Sequence, residues 1–325
     1  FTLSEEKNIS FLFTFYLSYI SHMSAPKIVI IGGGPAGRSI VHVLHHSKKE
    51  FDLTVIKDEE VNANRCAIPY GIAPGKPTMK YTIPNTMITD FGAKLVMDKV
   101  VGVDLKEKKV KTAEKGEFEY DQVVFATGGA PIVPPIPGLE GAVDGKIKNL
   151  TTVRGFDDME KMRKLAQEKK KVAVIGGGYI GLEVAVSLKK LGIESTVVEM
   201  LPHVLMMTTE EEFVADVEAH VLEKGLNLKL SSKVVAFVRE GDDVVGVKFD
   251  DGDVLECDFV VLAIGVRPNT DLARAAGLEV TPLGIVADDH MEVVGHKGVY
   301  AVGDCVQKRM FGMDQFGRGE FGTNA

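Results

Sequence analysis

Hydrophobic and polar positions alternate along the chain between two kinds of segment. Short apolar runs rich in β-branched residues predict strands covered on both faces, and the longer stretches between them have helical spacing. The runs predicted as buried strands cover residues 27–31, 53–56, 123–127, 172–176, 195–199 and 259–265. Strands that alternate with helices in this way form parallel sheets, so the pattern predicts an α/β fold.

Two stretches, residues 99–120 and 234–259, instead alternate between apolar and polar positions, as antiparallel strands with polar turns do. The order of strand, glycine-rich turn, helix, strand, antiparallel excursion and final strand occurs from about residue 27 and again from about residue 172. This repeat predicts two Rossmann-like dinucleotide-binding domains with parallel sheets and antiparallel excursions. The proline-rich stretch 131–137 is the expected crossing between them.

Each repeat begins with a G-x-G-x-x-G turn between a predicted strand and a helix-like stretch. Glycines there permit a tight turn and the close approach of a pyrophosphate, which binds at the helix N-terminus. The cofactor-binding positions expected in the first turn are Gly32, Gly34, Pro35, Ala36 and Gly37. Those expected in the second turn are Gly176, Gly178, Tyr179, Ile180 and Gly181. A glycine turn that binds no ligand is the alternative.

The strand after each turn is expected to end near the adenosine ribose of the cofactor. In the second repeat it ends in Glu199, whose carboxylate can accept hydrogen bonds from the ribose diol and repels a 2′-phosphate. The second site is therefore expected to prefer NADH to NADPH, unless Glu199 is only a surface residue at a strand end. In the first repeat Lys57 follows the strand, and Asp58 is the candidate ribose partner with a one-residue shift.

Composition and the N-terminus narrow the function. A formal net charge of −8 implies no basic surface and argues against a nucleic-acid partner. The cysteines, Cys66, Cys257 and Cys305, form no CxxC pair, so we expect no metal site and a reducing, cytoplasmic setting. The apolar run 11–20 is too short to span a bilayer, and Met23 opens the first strand segment. We expect residues 1–22 to be an extension outside the fold and membrane binding to be absent, with an interfacial anchor as the alternative.

These segments resemble the pyridine nucleotide-disulfide oxidoreductase family of FAD enzymes, from about residue 23 to the end of the chain. The segment with Ala126, Thr127 and Gly128 looks like the motif at which the family's chain leaves the FAD domain, and the segment with Gly265 looks like the motif at which it returns. The segment that ends in Gly303 and Asp304 looks like the family's second FAD fingerprint, which ends in an aspartate. The resemblance implies that Asp304 binds the ribityl chain of FAD.

The segment RCAIPYGI, residues 65–72, resembles the single-cysteine branch that contains NADH oxidases, NADH peroxidases and coenzyme A-disulfide reductases. In that branch one cysteine faces the flavin, which implies a redox role for Cys66. A thiolate there can cycle through sulfenic acid, a mixed disulfide or a persulfide. A buried structural cysteine is the alternative. Cys257 and Cys305 are interpreted as core or structural residues.

Some positions differ from those of the single-cysteine branch, and one position has a role that the sequence leaves open. Pro35 stands where the peroxidases carry a histidine, which disfavours peroxidase chemistry. His45 and His46 stand where coenzyme A-disulfide reductases often have basic residues, so coenzyme A specificity stays open. Glu183 resembles a family glutamate near the nicotinamide, and its alternative role is to cap the helix.

The resemblance implies an FAD domain in residues 23–149 and 271–325 and an NAD(P)H domain in residues 150–270. Relatives continue into a C-terminal dimerisation domain and are homodimeric, and we expect this sequence to lack that domain. The predicted enzyme passes a hydride from NADH to FAD and on, via Cys66, to a small disulfide, persulfide, polysulfide or dioxygen acceptor. The alternatives are a reductase of a ferredoxin or rubredoxin in which Cys66 is not redox-active, and an inactive truncated fragment that only binds FAD.

Overall fold

The computed structural model describes residues 25–73, 78–206, 208–309 and 316–318. The predicted extension 1–22 lies outside the described residues. The strands of the first half are β1 (Lys27–Ile31), β2 (Asp52–Lys57), β3 (Asn62–Ala63), β4 (Thr82–Ile83), β5 (Lys94–Met97), β6 (Val100–Asp104), β7 (Lys109–Thr112), β8 (Glu117–Glu119), β9 (Gln122–Phe125), β10 (Gly129–Pro131) and β11 (Leu150–Thr151). The α-helices there are α1 (Pro35–His46), α2 (Ile68–Gly71) and α3 (Thr86–Thr89), and the 3-10 helices are Arg65–Ala67 and Thr78–Tyr81.

The second half continues the same alternation. Its strands are β12 (Lys171–Ile175), β13 (Glu194–Val198), β14 (Asn227–Lys229), β15 (Val234–Glu240), β16 (Asp243–Phe249), β17 (Val254–Glu256), β18 (Phe259–Leu262), β19 (Val266–Pro268), β20 (Val280–Thr281), β21 (Gly284–Val286), β22 (Val299–Ala301), β23 (Val306–Arg309) and β24 (Phe316–Arg318). Its helices are α4 (Phe156–Glu168), α5 (Tyr179–Lys190), α6 (Glu211–Glu223) and α7 (Asp271–Ala275), with a 3-10 helix at Gly303–Cys305.

Two five-stranded sheets form the centre of the structure. The first has the order β22-β9-β1-β2-β5 and the second the order β11-β18-β12-β13-β14. Every neighbouring pair in both sheets is parallel. The prediction of an α/β fold with parallel sheets is confirmed.

Each parallel sheet separates two hydrophobic cores, because successive side chains of a strand point to opposite faces. In β1, Val29 belongs to one core and Ile30 to the other. In β12, Val174 and Ile175 are divided in the same way. This burial on both faces is the physical reason for the continuous apolar runs in the sequence.

The antiparallel excursions also form as predicted. They are the three-stranded sheets β6-β7-β8 and β15-β16-β17. The chain crosses between the two parallel sheets on an antiparallel pair, β10 with β19, in which Gly129 lies opposite Pro268. Strand β10 ends at the first residue of the proline-rich stretch 131–137, and β19 follows Gly265, in the segment that resembles the family's return to the FAD domain.

Several predicted strands ran one or more residues too far at their C-terminal ends. Gly176 was placed in a strand, but its φ of +110° lies outside the strand region of backbone conformation. The predicted run 259–265 also ends in a glycine of positive φ, Gly265 at +106°, but β18 already ends at Leu262. Strand β12 ends directly before its glycine turn. No described helix combines the length and the apolar character that a membrane crossing needs.

Candidate functional site

The first glycine turn is shaped by close backbone contacts. Gly32 has a φ of +114°, and a Cβ atom there would collide with the carbonyl oxygen of Ala126. A Cβ atom at Gly37 would collide with the carbonyl oxygen of Gly32. At Gly34, in contrast, no atom lies within 4 Å of the Cβ position. Two glycines are thus required by packing, and the third leaves open space where a ligand can approach the backbone.

Helix α1 begins at this open position. Gly34 is its N-cap and supplies no side-chain hydrogen bond, Pro35 follows, and the first turn contains no acidic residue. The N–H groups of a first helical turn have no partners within the helix, and the helix dipole is positive at this end. The turn therefore fits the pyrophosphate of a dinucleotide such as FAD.

The second glycine turn repeats this geometry. Gly176 has a φ of +110°, and its Cβ position collides with the carbonyl oxygen of Ala263. The Cβ position of Gly181 collides with the carbonyl oxygen of Gly176, whereas that of Gly178 is open. Tyr179, which begins α5, is exposed and shares a hydrogen bond of 3.3 Å with Thr209. Ile180 beside it is also exposed.

Glu199 is held in a fixed position after β13. Its Oε2 accepts a hydrogen bond of 2.7 Å from the N–H of Gly177, and its Oε1 accepts one of 2.9 Å from the N–H of Leu201. Each carboxylate oxygen keeps further acceptor capacity. The side chain lies beside the second glycine turn, where it can accept the hydroxyls of an adenosine ribose.

The first turn differs at the equivalent place. Asp58, the predicted ribose partner, is exposed. Lys57 is buried instead, and its Nζ donates a hydrogen bond of 2.9 Å to Oδ1 of Asn85. Burial lowers the pKa of Lys57, and the Glu59 carboxylate opposes that shift. The sequence prediction ended this strand at residue 56, whereas β2 extends one residue further and includes Lys57.

Cys66 differs from the other two cysteines in its surroundings. It is exposed, in the 3-10 helix Arg65–Ala67, whereas Cys257 and Cys305 are buried. Burial raises the pKa of the Cys257 thiol to about 12. Burial also raises the pKa of Cys305, whose thiol donates to the carbonyl oxygens of Phe125 and Val302 at 3.3 and 3.1 Å. Cys66 is the cysteine that a substrate can reach.

The segment after Cys66 contacts the helix of the second glycine turn. The hydroxyl of Tyr70 in α2 donates a hydrogen bond of 2.8 Å to Oε1 of Glu183 in α5. This bond raises the pKa of Tyr70, because ionisation would place a phenolate beside a carboxylate. The structure thus places Glu183, which the resemblance assigned to the nicotinamide region, next to the cysteine segment.

Asp304 lies in a charged cluster between the two halves of the chain. Its Oδ2 accepts a hydrogen bond of 3.0 Å from Nη2 of Arg154, in the loop before α4. The Cβ position of Gly128 lies 3.2 Å from that same Nη2 and 3.4 Å from Nη1 of Arg65. Arg154 was missed by the sequence analysis, since no local motif marks a contact between residues so distant in the chain.

The remaining motif positions brace these elements. The Cβ position of Gly303, whose φ is +76°, lies 2.8 Å from Cβ of Ala36, which brings the Asp304 segment to the first glycine turn. Thr127 donates a hydrogen bond of 2.7 Å to the carbonyl oxygen of Asn269, and Asn269 donates one of 2.9 Å back to that of Thr127. The carbonyl oxygen of Gly265 accepts a bond of 3.0 Å from the N–H of Ile132 across the crossing strands.

Comparisons with known proteins agree with this geometry. A family model described as pyridine nucleotide-disulphide oxidoreductase matches residues 26–318. An NADH oxidase from Methanocaldococcus jannaschii is 34% identical over 311 residues, which cover 92% of this chain and 67% of that protein. A CoA-dependent NAD(P)H sulfur oxidoreductase from Pyrococcus abyssi is 32% identical, over 87% of this chain and 63% of that protein.

A solved structure shows the same likeness. The ferredoxin reductase from Rhodopseudomonas palustris has a TM-score of 0.83 and 28% identity, over 90% of this chain and 71% of that one. The chain spans 35% of a nitrite reductase from Bacillus subtilis that is 32% identical to it. The similar proteins thus include NAD(P)H-dependent oxidoreductases whose names differ in the electron acceptor.

Proposed function

The chain belongs to the pyridine nucleotide-disulphide oxidoreductase family, and we propose that it oxidises NADH and reduces a small disulfide, persulfide, polysulfide or dioxygen acceptor through Cys66. Its cofactors are FAD and NADH. The chemistry of hydride uptake and electron transfer would be supplied by bound FAD. The protein's own residues supply binding, orientation and the sulfur nucleophile.

The observation that carries the proposal is the exposed Cys66 in a segment whose neighbouring residues approach elements of both glycine turns. The Tyr70–Glu183 hydrogen bond links its segment to the helix of the second turn. Asp304, beside the first turn, lies in the same region as Arg65, the residue before the cysteine. An accessible thiol in a segment that approaches both units suits electron transfer to sulfur.

For a disulfide acceptor the chemistry at Cys66 balances without an additional reductant. The Cys66 thiolate attacks one sulfur, the acceptor's S–S bond breaks, and one thiolate leaves. Two electrons that originate in NADH then break the mixed disulfide, which releases the second thiolate and restores Cys66. NADH and one proton are consumed, and NAD⁺ and two thiols are formed.

The proposed division of labour follows the two sheets. We assign residues 23–149 and 271–325 to FAD, since β22 returns to pair with β9 in the first sheet. We assign residues 150–270 to NADH, since the strands of the second sheet in the described part of the chain all lie between β11 and β18. Within the second unit, Glu199 favours the unphosphorylated ribose of NADH.

A second candidate is a reductase of a small electron-transfer protein, in which Cys66 takes no part in the chemistry. The likeness to the ferredoxin reductase, with a TM-score of 0.83, favours it. A protein that binds FAD without turnover is the third candidate. The three differ in what Cys66 does.

The test compares the wild type with Cys66→Ser in NADH oxidation assays, each with a disulfide, a persulfide, dioxygen or a ferredoxin as acceptor. Cys257→Ser is the matched control, because that cysteine is buried. Loss of reduction of a small acceptor in Cys66→Ser alone supports the proposal. Full activity of Cys66→Ser with ferredoxin favours the second candidate, and no NADH oxidation by any of the proteins favours the third.

A further inference from the structure

Lys57 and Glu199 occupy the same position in the two repeats. The strand after each glycine turn accepts a hydrogen bond of 2.8 Å from the first glycine of the turn, at Ile56 in β2 and at Val198 in β13. These residues also pair with the last residue of the preceding parallel strand in both sheets. The next residue along the chain is Lys57 in the first repeat and Glu199 in the second.

The side chains of the two residues also lie over the same part of each turn. The Cβ position of Gly33 is 2.6 Å from Cδ of Lys57, and that of Gly177 is 3.1 Å from Oε2 of Glu199. Each is the second glycine of its turn. The position that faces the adenosine ribose in a dinucleotide site is therefore a carboxylate in one repeat and an ammonium group in the other.

The hydrogen-bonding chemistry of the two positions is opposite. Glu199 accepts, and its fixed carboxylate suits a free ribose diol. Lys57 donates to Oδ1 of Asn85, which also accepts a bond of 3.2 Å from Nδ2 of Asn62. An ammonium group has three N–H donors, so Lys57 keeps donors for a ligand.

Two buried polar atoms near Lys57 have no partner among the described residues. They are Oδ1 of Asn62 and Nη1 of Arg38. Asn62 is 3% exposed and Arg38 is 7% exposed. Nε of Arg38 donates to the carbonyl oxygen of Gly34 at 3.4 Å, which places the guanidinium at the first turn. Unpaired buried polar atoms cost free energy unless a ligand pairs with them. The cluster offers an acceptor and two cationic donors, and the Glu59 carboxylate acts on both cations and offsets one of the two positive charges. The positive charge that remains suits a ligand more anionic than a ribose diol.

We propose that Lys57 makes the ribose end of the first site a donor site, which binds a 2′-phosphorylated adenosine nucleotide more tightly than an unphosphorylated one. The order of preference is the reverse of that at Glu199. In dinucleotide sites that take a 2′-phosphate, a basic side chain near this position accommodates it, and here Lys57 and Arg38 are the basic side chains nearby. The inference rests on the proposed function, in which the first turn binds FAD, and adds that its adenosine ribose is held by Lys57 rather than by a carboxylate.

The test uses the FAD-loaded protein and two competitors that differ only in one phosphate, ADP-ribose and 2′-phospho-ADP-ribose. FAD released from the first site is followed by the increase in its fluorescence. We expect 2′-phospho-ADP-ribose to displace FAD at about tenfold lower concentration than ADP-ribose, because it adds hydrogen bonds between charged groups. In competition with NADH at the second site, ADP-ribose is expected to be the stronger competitor.

Three variants assign the preference to the side chain. Lys57→Gln is expected to bring the ratio of the concentrations at which the two competitors displace FAD to about one. Lys57→Glu is expected to reverse this ratio, since a carboxylate repels the 2′-phosphate. Lys106→Glu makes the same charge change on an exposed turn and is expected to leave the ratio unchanged.

An equal effect of both competitors on the wild type, displacement by neither, or a ratio unchanged in Lys57→Gln and Lys57→Glu contradicts the inference. Protein that binds no FAD at all contradicts the proposed function instead. Bound FAD with the wrong order of competitors contradicts this inference alone.

Discussion

The hydroxyl of Tyr70 donates a 2.8 Å hydrogen bond to the carboxylate of Glu183. It joins the short helix that follows Cys66 to the helix that starts at the second glycine turn. The two partners are separated by 113 residues in the chain. In the proposed enzyme, this contact fixes the cysteine segment relative to the helix at which NADH binds.

The variant Tyr70→Phe removes this hydrogen bond and keeps the ring. We expect the combined change in KM for NADH and in the rate of NADH oxidation to be only about five-fold. The reason is that an exposed hydrogen bond contributes about 1 kcal/mol. Steady-state kinetics with NADH measure the effect. Glu183→Gln, which keeps an acceptor for the Tyr70 hydroxyl, is the control and should lie closer to the wild type. An unchanged Tyr70→Phe would show that the contact has no part in NADH binding.

The two kinds of glycine in the first turn should respond differently to alanine. Gly37→Ala places a Cβ atom against the carbonyl oxygen of Gly32, so we expect the free energy of unfolding to fall by about 3 kcal/mol. Gly34→Ala meets open space, and we expect a loss of about 1 kcal/mol or less, from the weaker N-cap. FAD affinity should nevertheless fall in Gly34→Ala, because the new methyl group occupies the approach of the pyrophosphate. Urea unfolding and FAD titration measure the two quantities, and equal destabilisation by both variants would argue against this geometry.

Cys66 should be the cysteine that reacts with alkylating reagents in the folded protein. The pKa values of Cys257 and Cys305 are raised by burial, that of Cys257 to about 12, so both remain protonated well above neutral pH. Since the thiolate is the reactive form, iodoacetamide at about pH 8 should label Cys66 and leave the others intact until the protein unfolds. Mass spectrometry of peptides locates the label. Rapid labelling of Cys257 under native conditions would contradict the burial seen here.

Glu199→Gln should weaken the preference for NADH. The glutamine keeps one oxygen acceptor, so it can satisfy only one of the N–H groups of Gly177 and Leu201, and it no longer repels a 2′-phosphate. We expect the ratio of kcat/KM for NADH to that for NADPH to fall about tenfold. Glu194→Gln, on an exposed residue at the start of the same strand, is the control. A ratio that does not change would place the ribose of NADH elsewhere.

The sequence predicted the features whose physical cause is local. Gly32 and Gly176 carry the backbone conformation that the turn requires, and the apolar runs mark strands buried on both faces. The contact of Arg154 with Asp304 joins residues 150 positions apart, and no spacing rule links them. Only the folded chain shows that contact and the bond from Tyr70 to Glu183.

Lys57 shows a different limit of sequence analysis. A lysine after an apolar run is usually a solvated residue at a strand end, because its ammonium group is costly to bury. Here the aliphatic part of its side chain packs over Gly33 and its ammonium group finds Asn85. Comparing the two repeats in three dimensions shows Lys57 at the position that Glu199 occupies in the other repeat. The sequence interpretation placed the ribose partner one residue later, at Asp58.

Anaerobic titration of the FAD-loaded protein with NADH, beside Cys66→Ser, shows whether Cys66 exchanges electrons with the flavin. We expect wild-type protein with oxidised Cys66 to take up more than one equivalent of NADH per FAD. It should also develop a long-wavelength absorption that requires the Cys66 thiolate and that Cys66→Ser lacks. Uptake of a single equivalent by both proteins, with identical spectra, would contradict the proposed redox role and make Cys66 a bystander.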